Sequence, residues 1–372
     1  MKRWLIFGLV MLLFTTPVKA ESYQSQSNVY YDLSELEQII DSLDEETKGV
    51  LSRWGLSIDS VMTGHGIDIQ AVGQVVLELL VNSVRSPLQS STACAGVLLL
   101  CALLRGLMPT PLTAMHGITE YFSPLCLGLV LVTPIAQLLV KTATAIGSVA
   151  DFMLAFIPVF IAILLAAGRT ATANGAATGL YTCSQGVMYL ADHCLLPMVG
   201  STVALAVSQS VGGLPTNGVF AAIKRTTIWL LGGATALFSG VLCLSGVING
   251  ATDSLGQRAT RFVIGNMVPV IGGSLSEALA SFRGCFQLLQ TAGGVLGIGV
   301  IAALLLPIVI ELLLFRLALA LVSSLAELFQ LTTAFGLIKG VADGVELAFS
   351  VTVCCFLVYV VSLSVLSVIG GM

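Results

Sequence analysis

Residues 261–279 read RFVIGNMVPVIGGSLSEAL, a stretch apolar enough for a bilayer yet crowded with residues that loosen helices. Asn266, Pro269, Gly272, Gly273, Ser274 and Ser276 all fall within it, and Glu277 lies near its end. Pro269 removes a backbone donor, and the glycine pair weakens any helix beside it. Lipid offers nothing to the freed groups, so irregular backbone at membrane depth survives only when buried in protein or lining a watery cavity. The stretch is therefore a re-entrant or broken helix beside a polar pathway, or a tight contact with another subunit. An ordinary amphipathic helix at the surface is the plain alternative. These seven residues form the candidate pathway or subunit-contact segment.

The rest of the chain establishes that its solvent is lipid. Of the 372 residues, 56% are hydrophobic and 10% charged, and the mean hydropathy is +0.98. Ordinary globular domains carry about 25% charged residues. From about residue 91 apolar segments follow in series, near 93–108, 125–140, 152–168, 195–211, 226–250, 291–315, 317–336 and 345–369. They predict an all-α polytopic membrane protein with seven or eight transmembrane helices in a domain spanning 91–372. Two of the segments are short for a full crossing and could be tilted, re-entrant or merged. Trp229, following Lys224 and Arg225, reads as an interfacial anchor at the mouth of a span.

Ahead of this body lie an address and a small exported region. Lys2 and Arg3, an apolar run from Trp4 to Phe14, and Val18 and Ala20 before the cleavage point compose a signal peptide over 1–20. Residues 21–90 then form a small helical extracytoplasmic region with a net charge of −8, tolerated outside because retention follows Lys and Arg. That field repels phosphate, so nucleic acid is excluded as a partner. Leu33, Leu36, Ile39, Ile40 and Leu43 recur at helical spacing, and Val72, Val75, Val76, Leu79, Leu80 and Val84 line one face of a second helix. That stripe is wide for so small a core. It is expected to lie on the membrane domain or on a partner protein.

Chemistry is sparse. The nine cysteines all lie beyond residue 90 in apolar surroundings and read as small core residues. His65, His116 and His193 are far apart, and the lone Asp192-His193-Cys194 run reads as loop or core. GGVLGIG at 293–299 sits inside a span without a strand before it, so close helix packing is expected there instead of phosphate binding. No cofactor, metal site or catalytic group is expected. Ionisable residues in apolar segments carry more meaning, because a charge in hydrocarbon must face the bundle interior, water or a partner. Arg105, Glu311 and Glu327 are the candidate intramembrane polar residues, with Glu346 beside them; Arg316 and Lys339 read as side chains reaching back to the interface. Pro158 and Pro197 stand 39 residues apart, Pro269 and Pro307 stand 38 apart, but the sequences around them match poorly.

The run from Ile223 to Leu279, with a span ending near Gly250, then Asp253, then RFVIGNMVPVIGGSLSEA, resembles the stage III sporulation protein AE family of endospore-forming bacteria. GHGIDIQ at 64–70 and FIPVFIAILLAAG at 156–168 are similar to the same family. Departures are mild: Glu277 stands where Asp is expected, and Arg258 and Arg261 where lysines are. The resemblance implies a role in spore formation, in the mother-cell membrane around the engulfed forespore. It implies as partners the other stage III A operon proteins, ATPase-like and ring-forming, and stage II sporulation protein Q across the intermembrane space. The implied assembly is a channel or secretion-like conduit supporting late forespore development. Two rival readings stay open: a secondary transporter using Glu311 and Glu327, and a scaffold that conducts nothing.

Overall fold

A computed structural model of the chain describes residues 45–54, 69–107, 113–191, 193, 196–212, 217–267 and 272–369. The expected signal peptide and the start of the exported region lie outside them. The described residues form nine helices and no strand: α1 Glu45–Arg53, α2 Ile69–Ser83, α3 Arg85–Leu107, α4 Thr113–Ala166, α5 Thr170–Leu190, α6 Leu196–Gly212, α7 Asn217–Met267, α8 Gly272–Leu328 and α9 Thr332–Ile369. Five helical stretches are long and apolar enough to cross a membrane: Gly73–Arg105, Phe122–Ala166, Ala221–Gly256, Ala292–Leu328 and Thr332–Ser364. The all-α polytopic class follows.

Two segment pairs that read as separate spans are continuous helices. Segments 125–140 and 152–168 join in the 54-residue α4. The polar stretch between them does not break the helix, because its hydroxyls return to their own backbone: Thr142 Oγ1 donates to the Leu138 carbonyl at 2.8 Å, Thr144 to Val140 at 3.0 Å and Ser148 to Thr144 at 3.0 Å. Pro124, Pro134 and Pro158 lie within the same helix, as membrane helices tolerate when neighbours cover the freed groups. Segments 291–315 and most of 317–336 join in α8, which passes through Arg316 because that side chain is paired with Glu346 at 3.0 Å.

The turn that ends α8 falls inside the segment read as a span over 317–336. Gln330 takes a left-handed conformation, φ 57°. Its N–H donates to the Glu327 carbonyl and that of Leu331 to the Ala326 carbonyl, each at 3.0 Å, the two bonds of a Schellman ending. The α4 ending is built the same way: Gly168 has φ +73°, its N–H donates to Leu165 at 2.9 Å, and Arg169 donates to Leu164 at 3.0 Å. Gly168 announces its turn in the sequence; Gln330 does not. Since a side chain in this conformation costs about 1 kcal/mol, Gln330→Gly is expected to stabilise the protein by about 0.5–1 kcal/mol, read as a higher thermal unfolding midpoint. An unchanged or lower midpoint would contradict this account of the turn.

The α8–α9 hairpin is the centre of the body, with α4, α6 and α7 packed on it. Tyr359, Phe156, Phe160 and Phe315 are its largest fully buried side chains. Phe152, Phe156 and Phe160 form a ladder on α4 with ring centroids 5.6 Å apart. That ladder meets Gly293 and Gly297 of α8, where an added Cβ at Gly297 would stand 2.9 Å from Leu363 Cδ1 and 3.3 Å from Phe156 Cζ. Gly297 therefore serves close packing, as expected for this run. Helix α5 has no counterpart among the expected spans. It holds its place between α4 and α7 through small residues: a Cβ at Gly175 would collide with the Asn249 amide, and one at Gly186 with the Phe238 ring.

The α1–α2 pair lies on α8, with Val50, Leu51, Trp54 and Val75 buried and Arg53 paired to Glu78. Of the apolar stripe of α2, Val75 and Leu79 thus rest on the membrane body, while Val84 is exposed. Val84 alone separates α2 from α3, where Pro87 has no N–H to offer the Ser83 carbonyl.

Candidate functional site

Three ion pairs stitch four helices together, each with its acid more deeply placed than its base. Lys141 Nζ of α4 reaches Glu311 of α8, at 2.9 Å from Oε1 and 3.2 Å from Oε2. Arg316 Nη2, further along α8, lies 3.0 Å from Glu346 Oε2 of α9. Asp343, on the same helix, accepts from Lys224 Nζ of α7 at 2.6 Å. Glu311 and Arg316 are about 8 Å apart along the α8 axis, and Asp343 and Glu346 about 5 Å apart along α9. Because the two helices run antiparallel, these offsets add: the six charges form a band about 12 Å deep, with Lys224–Asp343 at the end nearer the turn and Lys141–Glu311 at the other, and they cancel.

Of the four ionisable residues singled out in apolar segments, Glu311 and Glu346 belong to this belt. Arg316 was expected to reach back to the interface; instead its charge is answered within the bundle by Glu346. Lys339 lies 5.5 Å from the centroid of the Phe335 ring, one turn earlier on its own helix. Arg105 Nη1 donates to the Gln330 carbonyl at 2.9 Å, so a side chain of α3 covers the negative end of α8 at the turn into α9. Glu327 lies exposed in the last turn of α8, about 24 Å along that helix from Glu311. The two carboxylates that a proton-coupled transporter would use are not brought together.

A matching clamp holds the other Schellman turn, and the residue reading did not single it out. Asp253 of α7 is buried, and its carboxylate accepts from the Ala171 N–H at 2.9 Å and the Thr172 N–H at 2.7 Å. These are the orphan donors at the start of α5, whose own cap residue Arg169 makes no side-chain cap bond. Burial lowers the Arg169 guanidinium pKa, and the Asp253 carboxylate opposes that shift. So each long hairpin is pinned at its turn by a charge of the sign its helix end favours, supplied by a third helix. The signal in sequence was Asp253 itself, an acid within an otherwise uncharged run from Thr226 to Gln257.

The candidate pathway segment sits between two helices. Asn266 is on the last turn of α7, which ends at Met267, and α8 begins at Gly272. Gly272, Gly273, Ser274, Ser276 and Glu277 are on helical backbone in the first turns of α8. Pro269 lies outside the described residues, as do the side chains of the other six. Among the described residues no three His, Cys, Asp or Glu side chains are grouped as metal ligands. His193 stacks on Tyr189 with centroids 4.5 Å apart, and Cys94, Cys101 and Cys355 are buried.

A protein-family model described as stage III sporulation protein AE matches residues 56–370. Stage III sporulation protein AE of Bacillus subtilis (strain 168) is similar at 23% identity over 158 residues, which are 42% of this chain and 40% of that protein. The chain thus spans less than half the length of this curated relative in the match. No solved structure matches the chain.

Proposed function

This chain belongs to the stage III sporulation protein AE family, and from that premise we propose that it is a non-catalytic component of a channel or secretion-like assembly between mother cell and forespore. On this reading it sits in the mother-cell membrane, with the signal peptide removed and the 21–90 region in the intermembrane space. Its partners are the ATPase-like and ring-forming stage III A operon proteins and stage II sporulation protein Q. The membrane body is a rigid platform that presents the 261–279 segment to a polar pathway or to a neighbouring subunit.

The observation that carries this reading is the neutral ion-pair belt. A transporter that cycles protons needs a carboxylate free to gain and lose one at a substrate site. Here Glu311 is committed to Lys141, and Glu327 is far along the helix from it. Charges spent on holding α4, α7, α8 and α9 in register support a fixed body better than a moving one.

The test is Gly272→Leu with Gly273→Leu in the sporulating host. Late forespore gene expression is expected to fall to background while the partner proteins still co-purify with the variant. Loss of co-purification would favour the scaffold reading, and unchanged sporulation would remove the segment from the mechanism. Uptake of a solute by the isolated chain in liposomes would restore the transporter.

A further inference from the structure

We propose that α7 carries a binding site for the headgroup of one anionic phospholipid, centred on Arg225. A shallow, open groove between side chains of α7 itself lies beside the start of the apolar run, lined by Ala221, Lys224, Arg225, Thr226, Ile228 and Trp229. The two bases in it have different fates. Lys224 is drawn inward to Asp343 and its charge is answered there. Arg225 is exposed, and among the described residues no carboxylate pairs with it. The groove is therefore left with one outward positive charge, on the side chain whose planar fork suits a phosphate.

The depth is right for a headgroup. No charged residue stands between Arg225 and Asp253, and the next exposed base is Arg258. From Arg225 to Arg258 the helix rises about 50 Å, close to the full thickness of a bilayer with its headgroups, about 40–45 Å, for a tilted helix. Trp229, 77% exposed one turn inside Arg225, is where an interfacial indole belongs. Below it Leu237, Val241, Leu244 and Ile248 face outward, each at least 63% exposed, and offer a continuous surface to acyl chains. Charge selects the class of lipid. A zwitterionic choline headgroup would hold its own cation near the guanidinium, whereas a phosphatidylglycerol presents the phosphate alone.

The experiment uses the full chain in nanodiscs of phosphatidylcholine, with and without an equal share of phosphatidylglycerol. Phosphatidylglycerol is expected to raise the thermal unfolding midpoint and to remain on the protein in native mass spectrometry. Arg225→Gln is expected to abolish both effects while leaving the midpoint in pure phosphatidylcholine unchanged. Arg225→Lys, which keeps the charge without the fork, should retain a weakened form of both; it decides the matter should Arg225→Gln not fold. Equal midpoints for the wild type in the two lipids, or a phosphatidylglycerol effect that survives Arg225→Gln, would overturn the proposal. So would equal stabilisation by inorganic phosphate in pure phosphatidylcholine, which would mean the groove reads free anion and no lipid.

Discussion

Gly340→Leu is expected to eliminate folded protein from the membrane. Gly340 and Gly344 stand one turn apart on α9 and face α6, the spacing by which membrane helices bring their backbones together. An added Cβ at Gly340 would lie 2.5 Å from Ala206 Cβ and 3.4 Å from Ala206 Cα. At Gly344 it would lie 2.8 Å from Val203 Cγ2 and 3.2 Å from Thr202 Oγ1. At Gly340 the obstruction is another helix's alanine, whose Cβ and backbone cannot swing aside. Overpacking a tight contact costs about 1–3 kcal/mol where side chains can yield; here the helices themselves must part, so at least about 3 kcal/mol is expected. Parting them would also strain the Lys224–Asp343 bond in the same stretch of α9. The control is Gly336→Ala on the same helix, where a Cβ meets nothing within 4 Å. It is expected to be neutral or to stabilise by up to about 1 kcal/mol, the helix-propensity gain over glycine. Membrane-fraction yield and the unfolding midpoint separate the two outcomes, and a well-folded Gly340→Leu would refute the close contact.

Arg316→Met should destabilise more than the double change Arg316→Met with Glu346→Met. Arg316 is 38% exposed and Glu346 18%, so the acid is the more deeply placed partner. Removing the base leaves a carboxylate in an apolar bundle. Fully buried pairs broken in this way lose about 3–5 kcal/mol, and surface pairs about 0–1; the intermediate exposure here points to about 2 kcal/mol. Replacing both partners removes that carboxylate as well and should recover most of the loss. A thermodynamic cycle over the four proteins measures the coupling. Two single changes that simply add would show that the belt does not bind its helices together.

The sequence carried the class of the fold well and its punctuation unevenly. Long apolar runs can only be helices in lipid, because every backbone group must be satisfied within the segment. What it could not carry was where those runs stop. KTATAIGSVAD at 141–151 looks like a connection, yet its hydroxyls bond the helix they sit on and its lysine finds Glu311 across a gap of 170 residues. Conversely, ELFQLTTA around Gln330 holds no glycine or proline, and the reversal there is closed by its own backbone bonds, with Arg105 of a distant helix donating to the Gln330 carbonyl. Helix α5 was missed because its small and polar residues score as a loop until α7 is laid against them. Glu311 was singled out for its cost in hydrocarbon, which was sound; that its cost is met by Lys141 is a fact of tertiary structure alone. Asp253 stood out as a lone acid in an uncharged run and within the family pattern, but nothing local hints that it caps α5.

The length of α4 has a practical corollary. Its apolar run, Phe122–Ala166, has 45 residues and measures about 67 Å, against a hydrocarbon core of about 30 Å. To hide wholly among acyl chains it would have to lean more than about 60° from the normal, beyond the 0–40° that spanning helices adopt. Part of this rod must therefore be sheathed by something other than lipid, and the chain does this itself: over the second half Ile146, Met153, Phe156, Phe160 and Ile163 are buried, while Phe122, Leu125, Leu129, Val132 and Val140 stay exposed over a length that one bilayer covers.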